Sequence, residues 1–455
     1  MIPVVPVPSG DSLPAVATPL PGARSRDLCD LLASVECPAL TMRRARRAES
    51  SGAASDPIVW AAARGTNVAD VDGNVFVDLT SGFGAALIGY GHPAVLAAIR
   101  TQSERLIHAL GDVQPSESKI ALERRLAALA PWPDARVILG QSGSDAVEAA
   151  LKTAWLHTKK PRVIAFDGGY HGLSLGAVAI AGYRTSFRAP FADQLNPHVT
   201  WVPFPVDGAA DCRAAVEAVE REMKAGDVAA IVVEPVLGRG GVWRADIGAM
   251  NAIVAAAHRG GAVVIADEIQ CGLRRAALES WTCSGAWWNE QPDIVCLGKA
   301  LGGTLPISAC LIRENVARAW GAPDHEVIHT STFLGNPLAC SAALATLDVL
   351  ESSALLARFA DCARGLRADA VDPLLRDERA GVRAIGGAGL MLGIHLAGAP
   401  GRALRVVRTL LARGYIALPA GRATDCVALT PSGTLSDTQI AHLAQTLRDA
   451  LHDTN

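Results

Sequence analysis

The sequence lacks the marks of several protein classes. Its ten cysteines, scattered from Cys29 to Cys426, include no CxxC pair and no clustered spacing with histidines, which argues against a zinc site and a disulfide framework and leaves reduced, buried thiols. It has no basic surplus: 42 Lys and Arg stand against 45 Asp and Glu, so electrostatics give no reason to expect nucleic acid or a membrane as partner. The opening stretch MIPVVPVPSGDSLPAVATPLPGAR has no basic n-region and is broken by prolines, unlike a signal peptide or a spanning helix. It reads as the flexible arm of a cytoplasmic protein. No GxxxxGK[ST] phosphate loop occurs. What is present is apolar material: half of the 455 residues are hydrophobic and 19% charged, enough for two packed domains and a small-molecule ligand.

Periodicity divides the chain. DLCDLLASVE suggests a short helix ending before Pro38, and TMRRARRAESSGAASDP a solvated connector, so residues 1–56 form an arm and connector. Residues 59–80 contain two β-like runs joined by the turn signal Asp72-Gly73-Asn74, a hairpin that opens a small domain over 57–110. From 136 to 312, short apolar runs (VIL, RVIAF, VTWV, AAIVVEP, AVVIADE, DIVCLG, ISACLI) alternate with stretches of helical period. That alternation predicts a mostly parallel sheet covered by helices within a large domain over 111–340. Residues 341–455, from an alanine-rich helix to the amphipathic TQIAHLAQTLRDALH, complete the small domain from the other chain end.

In such a sheet, ligands bind beyond the carboxyl ends of the strands, so the residues after each apolar run are the informative ones. QSGSDAVEAALKTA puts Ser142, Gly143 and Ser144 at a helix start whose amides suit a phosphate, although an ordinary serine N-cap would read the same way. VIAFDGGYHG places Tyr170 and His171 in a glycine-rich turn, where an aromatic ring can cover a planar cofactor. VVIADEIQCG ends a strand on Asp267, a costly carboxylate unless it meets a cation such as a protonated pyridine; a magnesium-binding Asp-Glu pair competes with that reading. DIVCLGKALGG sets Lys299 among glycines, a place for a desolvated amine nucleophile. Lysine, carboxylate, aromatic and anion cup are together the requirements of pyridoxal 5'-phosphate (PLP) chemistry.

These residues, with DVDGNVFVDL, GHPAV, VVEP and HTSTFLGNPLACSAAL, resemble the class III aminotransferases of PLP fold type I, the ω-aminotransferase group, from about Asp56 to the C-terminus. The resemblance implies an α/β large domain and a smaller α+β domain. It makes Lys299 the Schiff-base lysine and proton carrier, Asp267 the pyridinium partner, Tyr170 the stacking ring and Gln270 the neighbour of the cofactor's phenolic oxygen. Ser142, Gly143 and Ser144 match the phosphate turn. Thr332 matches a threonine that reaches the phosphate of the neighbouring subunit, which implies a homodimer. Transamination then runs as two half-reactions between an amino donor and a carbonyl acceptor. Aminomutases, epimerases and decarboxylating transaminases share the scaffold and stay open alongside it. A ligand-sensing regulator is disfavoured by the intact lysine and carboxylate and by the absence of a DNA-reading module.

The departures concern substrate. Leu173 follows YHG where relatives using ornithine or 4-aminobutyrate carry an arginine, and Ala428 stands where the family has the arginine that grips glutamate's α-carboxylate. Arg239, in EPVLGRGG, replaces the glutamate that pairs with that second arginine. The double change avoids both a stranded carboxylate and a like-charge pair. Arg239, and secondarily Arg422, are therefore candidate anion sites. The substrate expectation is an ω-amine, amino sugar or specialised metabolite rather than a standard amino acid.

Overall fold

The computed structural model describes residues 5–49, 57–208, 212–321 and 326–455. The chain divides into two compact units: a smaller one comprising the chain up to His92 with Ala357–Gly386 and Leu392–Asn455, and a larger one comprising Pro93–Leu356 with Gly387–Met391.

The smaller unit begins with strands β1 (Trp60–Arg64), β2 (Asn67–Asp70) and β3 (Val75–Asp78), paired antiparallel in sequence order. The anticipated turn joins β2 to β3: Asp70 Oδ1 accepts the amides of Asp72 and Asn74, and Gly73 takes φ +89°. A second turn at Gly65, φ +55°, adds β1 and makes a three-stranded meander where the sequence suggested two runs. The expected flexible arm is instead largely built in. Ala15 bridges Val75, Asn67 and Asn74 hold the backbone of Ser12, Ala17 and Thr18, and Asp72 accepts the amides of Arg24 and Ser25 at the start of helix Ala23–Val35. The hairpin's polar side chains thus satisfy backbone groups that a free arm would leave to water. Much of the expected connector is also a helix, Pro38–Glu49: proline sits at its first position, where no amide bond is lost, and Ala, Leu, Met and Arg favour helix. Residues 50–56 of that connector lie outside the described residues.

The larger unit carries β4 (Arg136–Gly140), β5 (Arg162–Phe166), β6 (Val199–Val202), β7 (Val228–Val233), β8 (Val263–Asp267), β9 (Ile294–Leu297) and β10 (Ser308–Ile312). They form one sheet in the order β4-β10-β9-β8-β7-β5-β6, parallel except for β10, which runs against both its neighbours. Each anticipated apolar run is a strand. β7, β8 and β9 are buried along their whole length, as strands covered on both faces must be. Helix Gly143–Thr158 buries Ala146, Val147, Ala150 and Ala154 against the sheet; small residues let it lie close.

Helices Pro93–Arg105 and Pro337–Glu351 pack side by side within this unit. Gly303, φ +55°, lies so near them that a Cβ there would stand 2.5 Å from Thr346 Oγ1 and 3.0 Å from Val95. This packing moves the division to 92/93 and 356/357, where periodicity had suggested 110/111 and 340/341.

The rest of the smaller unit holds β11 (Val382–Ala388), β12 (Met391–Leu396), β13 (Tyr415–Ile416), β14 (Leu418–Ala420) and β15 (Cys426–Leu429). β13 joins β3 in parallel, so both chain ends share one sheet, and the others form a sheet ordered β11-β12-β15-β14. Arg402, 2% exposed, donates to the carbonyls of Ala380, Gly381, Ala397 and Leu451, tying the turn before β11, the end of β12 and helix Asp437–Asp453 together. Among the described residues no single helix is long and apolar enough to cross a membrane.

Candidate active site

Five strands of the large sheet, β4, β5, β7, β8 and β9, deliver polar residues just beyond their carboxyl ends. Asp267 closes β8 and is 4% exposed; its Oδ1 accepts the Ile269 amide at 3.1 Å and its Oδ2 lies 2.8 Å from His171 Nδ1. His171 comes from the turn after β5 and is 2% exposed. Burial opposes its protonation, but the bond to Asp267 and the charges of Asp267 and Glu234 outweigh it and hold the imidazole above its usual pKa. Its Nε2 is buried and has no hydrogen-bond partner among the described residues.

Glu268 is adjacent in sequence and opposite in use. Its carboxylate accepts the amides of Cys283 and Ser284 and the Ser284 hydroxyl, capping helix Cys283–Trp287. Asp267 and Glu268 are thus committed to different partners. The scattered cysteines do meet here, since Cys271 and Cys283 come within 4.8 Å of a Glu268 oxygen. Burial raises both thiols, whereas metals take thiolates.

Lys299 follows β9 after Gly298 and adopts φ +40°, a left-handed conformation unusual for a side-chain-bearing residue. Its Nζ donates to Gln270 Oε1 at 2.6 Å. Burial pushes the amine down to about 8; the charges of Glu234 and Asp267 oppose this, and those of Arg275 and Arg239 reinforce it. A lysine so placed is partly neutral near physiological pH and therefore nucleophilic.

Glu234, at the end of β7, was missed as a site residue by the sequence reading. One oxygen accepts the Tyr170 amide at 2.9 Å and the other the Gly238 amide at 3.0 Å, so a single carboxylate joins two loops. Burial, with Asp267 adding, raises its pKa to about 7 against the pull of His171 and the two amides. Gly238 presses on Gln270: a Cβ there would stand 2.5 Å from Oε1. The Tyr170 ring meets Tyr183 and Phe187 edge-on, and the Arg239 guanidinium lies 4.4 Å from its centroid.

Beyond β4, both readings of Ser142 meet. Its hydroxyl accepts the Asp145 amide while Asp145 accepts the amides of Gln141 and Ser142, a capping box. Ser144 Oγ is taken by the amides of Leu173 and Ser174. The amides of Gly143 and Ser144 remain the donors free to meet an anion. Thr332 is exposed, and its neighbour Ser331 accepts a bond from Gln141 beside this turn. Leu173 is 56% exposed on the same sheet edge. Arg422, exposed between β14 and β15, and Ala428, within β15, belong to the smaller unit.

A buried carboxylate bonded to an imidazole whose far nitrogen has no partner, an amine of lowered pKa, and a helix terminus with orphan amides share one sheet edge. This donor set fits PLP, a pyridine bearing an aldehyde and a phosphate, and together with the sheet it defines a PLP enzyme of fold type I. Residues 50–451 match the family model for class III aminotransferases, and the chain belongs to that family. It is 35% identical over 343 residues to the acetylornithine aminotransferase of Methanopyrus kandleri, covering 75% of this chain and 81% of that protein. It is 32% identical over 436 residues to the 4-aminobutyrate aminotransferase of Mycobacterium bovis, covering 91% and 95%. A PLP-bound amine transaminase from an uncultivated Pseudomonas species superimposes with a TM-score of 0.80 at 26% identity, over 88% of this chain and 96% of that one. The family is PLP-dependent and performs transamination on small-molecule amino donors and carbonyl acceptors.

Proposed function

We propose that the protein moves an amino group from a donor to a carbonyl acceptor in two half-reactions centred on Lys299, with a non-standard amine, amino sugar or specialised metabolite as one substrate. The observation that carries this reading is the meeting of the Lys299 amine with Gln270, Glu234 and the Asp267–His171 pair on one sheet edge. PLP, when bound, supplies an electron sink for the bonds at the substrate's amino carbon.

The chain's own groups divide the remaining work. Asp267, bonded to His171, would pair with the protonated ring nitrogen of the cofactor. The amides of Gly143 and Ser144 and the hydroxyl of Ser142 bind the phosphate. Tyr170 would stack on the cofactor's ring and Gln270 would bind at its phenolic oxygen. Lys299 Nζ, with its lowered pKa, would accept and hold the proton that leaves the substrate carbon. Thr332, exposed on its loop, serves the phosphate of a second copy. Leu106, Ile107, Leu110, Val113 and Phe333, all more than 40% exposed, supply apolar surface for that homodimer. The assembly works in the cytoplasm, where its ten cysteines stay reduced.

The test is a panel of amino donors added singly to the PLP-loaded protein, read by loss of the lysine-bound cofactor's absorbance, then acceptors to restore it. Nitrogen transferred one for one from donor to acceptor supports transamination. Rearranged substrate with no net transfer overturns it in favour of an isomerase.

A further inference from the structure

Arg239 is the cation of the site with no assigned work. Arg188, Arg244 and Arg313 also lie over aromatic rings, and each also donates to a protein acceptor: the Ala181 carbonyl, the Asp207 carboxylate and the Pro292 carbonyl. Arg239 has the Tyr170 face and, among the described residues, no hydrogen-bond or carboxylate partner. A half-buried guanidinium without an acceptor forgoes its strongest interactions, since five N–H donors in a fixed fork match a carboxylate in two-point contact.

Its position is also fixed. Glu234 grips the amide of Gly238, immediately before Arg239, with one oxygen and the amide of Tyr170 with the other, so the cation and the ring beneath it hang from one carboxylate. Glycines on either side allow the tight fit. A Cβ at Gly240 would stand 2.5 Å from the Gly168 carbonyl oxygen, and one at Gly238 would strike Gln270, the residue bonded to Lys299 Nζ. The turn is therefore braced against the reacting lysine, and the Arg239 charge reaches that amine.

We propose that Arg239 is the carboxylate anchor for an acid member of the donor and acceptor pair, an amino acid or its 2-oxo acid, and that Glu234 is the residue that positions it. This rests on the transamination reading and deepens it: one half-reaction uses an acid even though the other substrate is a non-standard amine. Leu173 adds no charge at the same edge, so recognition of that acid depends on the single fork of Arg239 over Tyr170.

The test compares L-alanine with ethylamine, which differs by the carboxylate alone, in single-turnover half-reactions of the PLP-loaded protein. Binding of propionate, an unreactive acid, is measured by calorimetry beside propanesulfonate and methylphosphonate. Arg239→Ala is expected to lower the alanine-to-ethylamine ratio of kcat/KM by about ten- to a hundred-fold, the worth of a charge-assisted contact, and to abolish propionate binding. Arg239→Lys, which keeps the charge but loses the fork, should recover part of both. Glu234→Gln, which touches the Tyr170 loop as well as the Arg239 turn, should slow both amines and slow alanine more, so that the alanine-to-ethylamine ratio of kcat/KM falls in the same direction as in Arg239→Ala, a split that general loss of structure would not produce. An unchanged ratio with unchanged propionate binding in Arg239→Ala overturns the proposal, as does tighter wild-type binding of the sulfonate or phosphonate than of propionate. If the wild type transfers no nitrogen at all, the transamination reading fails, and propionate binding still decides the anchor.

Discussion

Buried polar groups of the two compact units differ in how completely the chain itself satisfies them. In the smaller unit, Asp70 is fully enclosed and accepts the amides of Asp72 and Asn74 and the Asn74 side chain, while the two terminal nitrogens of Arg402 donate to four carbonyls and its buried Nε meets no acceptor among the described residues. In the larger unit, Asp267 is held by one amide and by an imidazole whose other nitrogen has no partner among the described residues, and Arg239 has a ring and, among those residues, no acceptor. Saturated networks hold a fold together. Networks with an open valence are built for something the chain does not contain. Glu268 shows that the contrast is local to each residue, since one position from Asp267 it is saturated like its counterparts in the smaller unit.

Substitutions can break this contrast. The largest effect is expected from Lys299→Ala, which should slow both half-reactions roughly ten-thousand-fold by removing the proton carrier, measured with the PLP-loaded protein and each donor. Asp267→Asn keeps the shape and removes the charge, and should cost about 100- to 1,000-fold in half-reaction rate with little change in melting temperature. If it unfolds the protein instead, the open and saturated classes are not distinct. Arg402→Met should behave in reverse: on the order of 3 kcal/mol of stability lost in urea unfolding, because buried carbonyls lose their donors, with the alanine-to-ethylamine ratio unaltered. The smallest effect is one of pH. Lys299 reacts with an aldehyde as the neutral amine, so the rate of PLP capture by the cofactor-free protein should fall roughly tenfold per unit below about 8 and level off above it. A rate still climbing at the pH where an ordinary lysine loses its proton would show that the amine is not desolvated.

How much of this was legible in the sequence varies by residue. The seven strands were, because each is a short apolar run, and RVIAF or AVVIADE, buried on both faces, admits little else. Asp267 and Lys299 were visible for the same reason, as charges at the end of such runs. Glu234 carries an identical signal at the end of AAIVVEP, but the signal does not carry its role. Its function is to accept two amides from loops at positions 170 and 238, and no local pattern announces that. The division of the chain was misjudged at Pro93–Arg105 and Pro337–Glu351, two helices far apart in sequence whose packing is a long-range fact. The structured arm was misjudged for a related reason: Asp72, Asn67 and Asn74, read as turn residues, also bind backbone near the N-terminus.

The backbone at Lys299 has one more implication. A left-handed conformation costs an L-residue with a side chain about 1–2 kcal/mol, and glycine nothing comparable. The lysine also brings a cation into a site where burial disfavours it. Both penalties vanish in Lys299→Gly, so the inert protein should melt at a higher temperature than the active one. Position 299 is then held by selection for chemistry against the preference of the fold, and a screen for thermal stability alone would tend to remove the residue on which the enzyme depends.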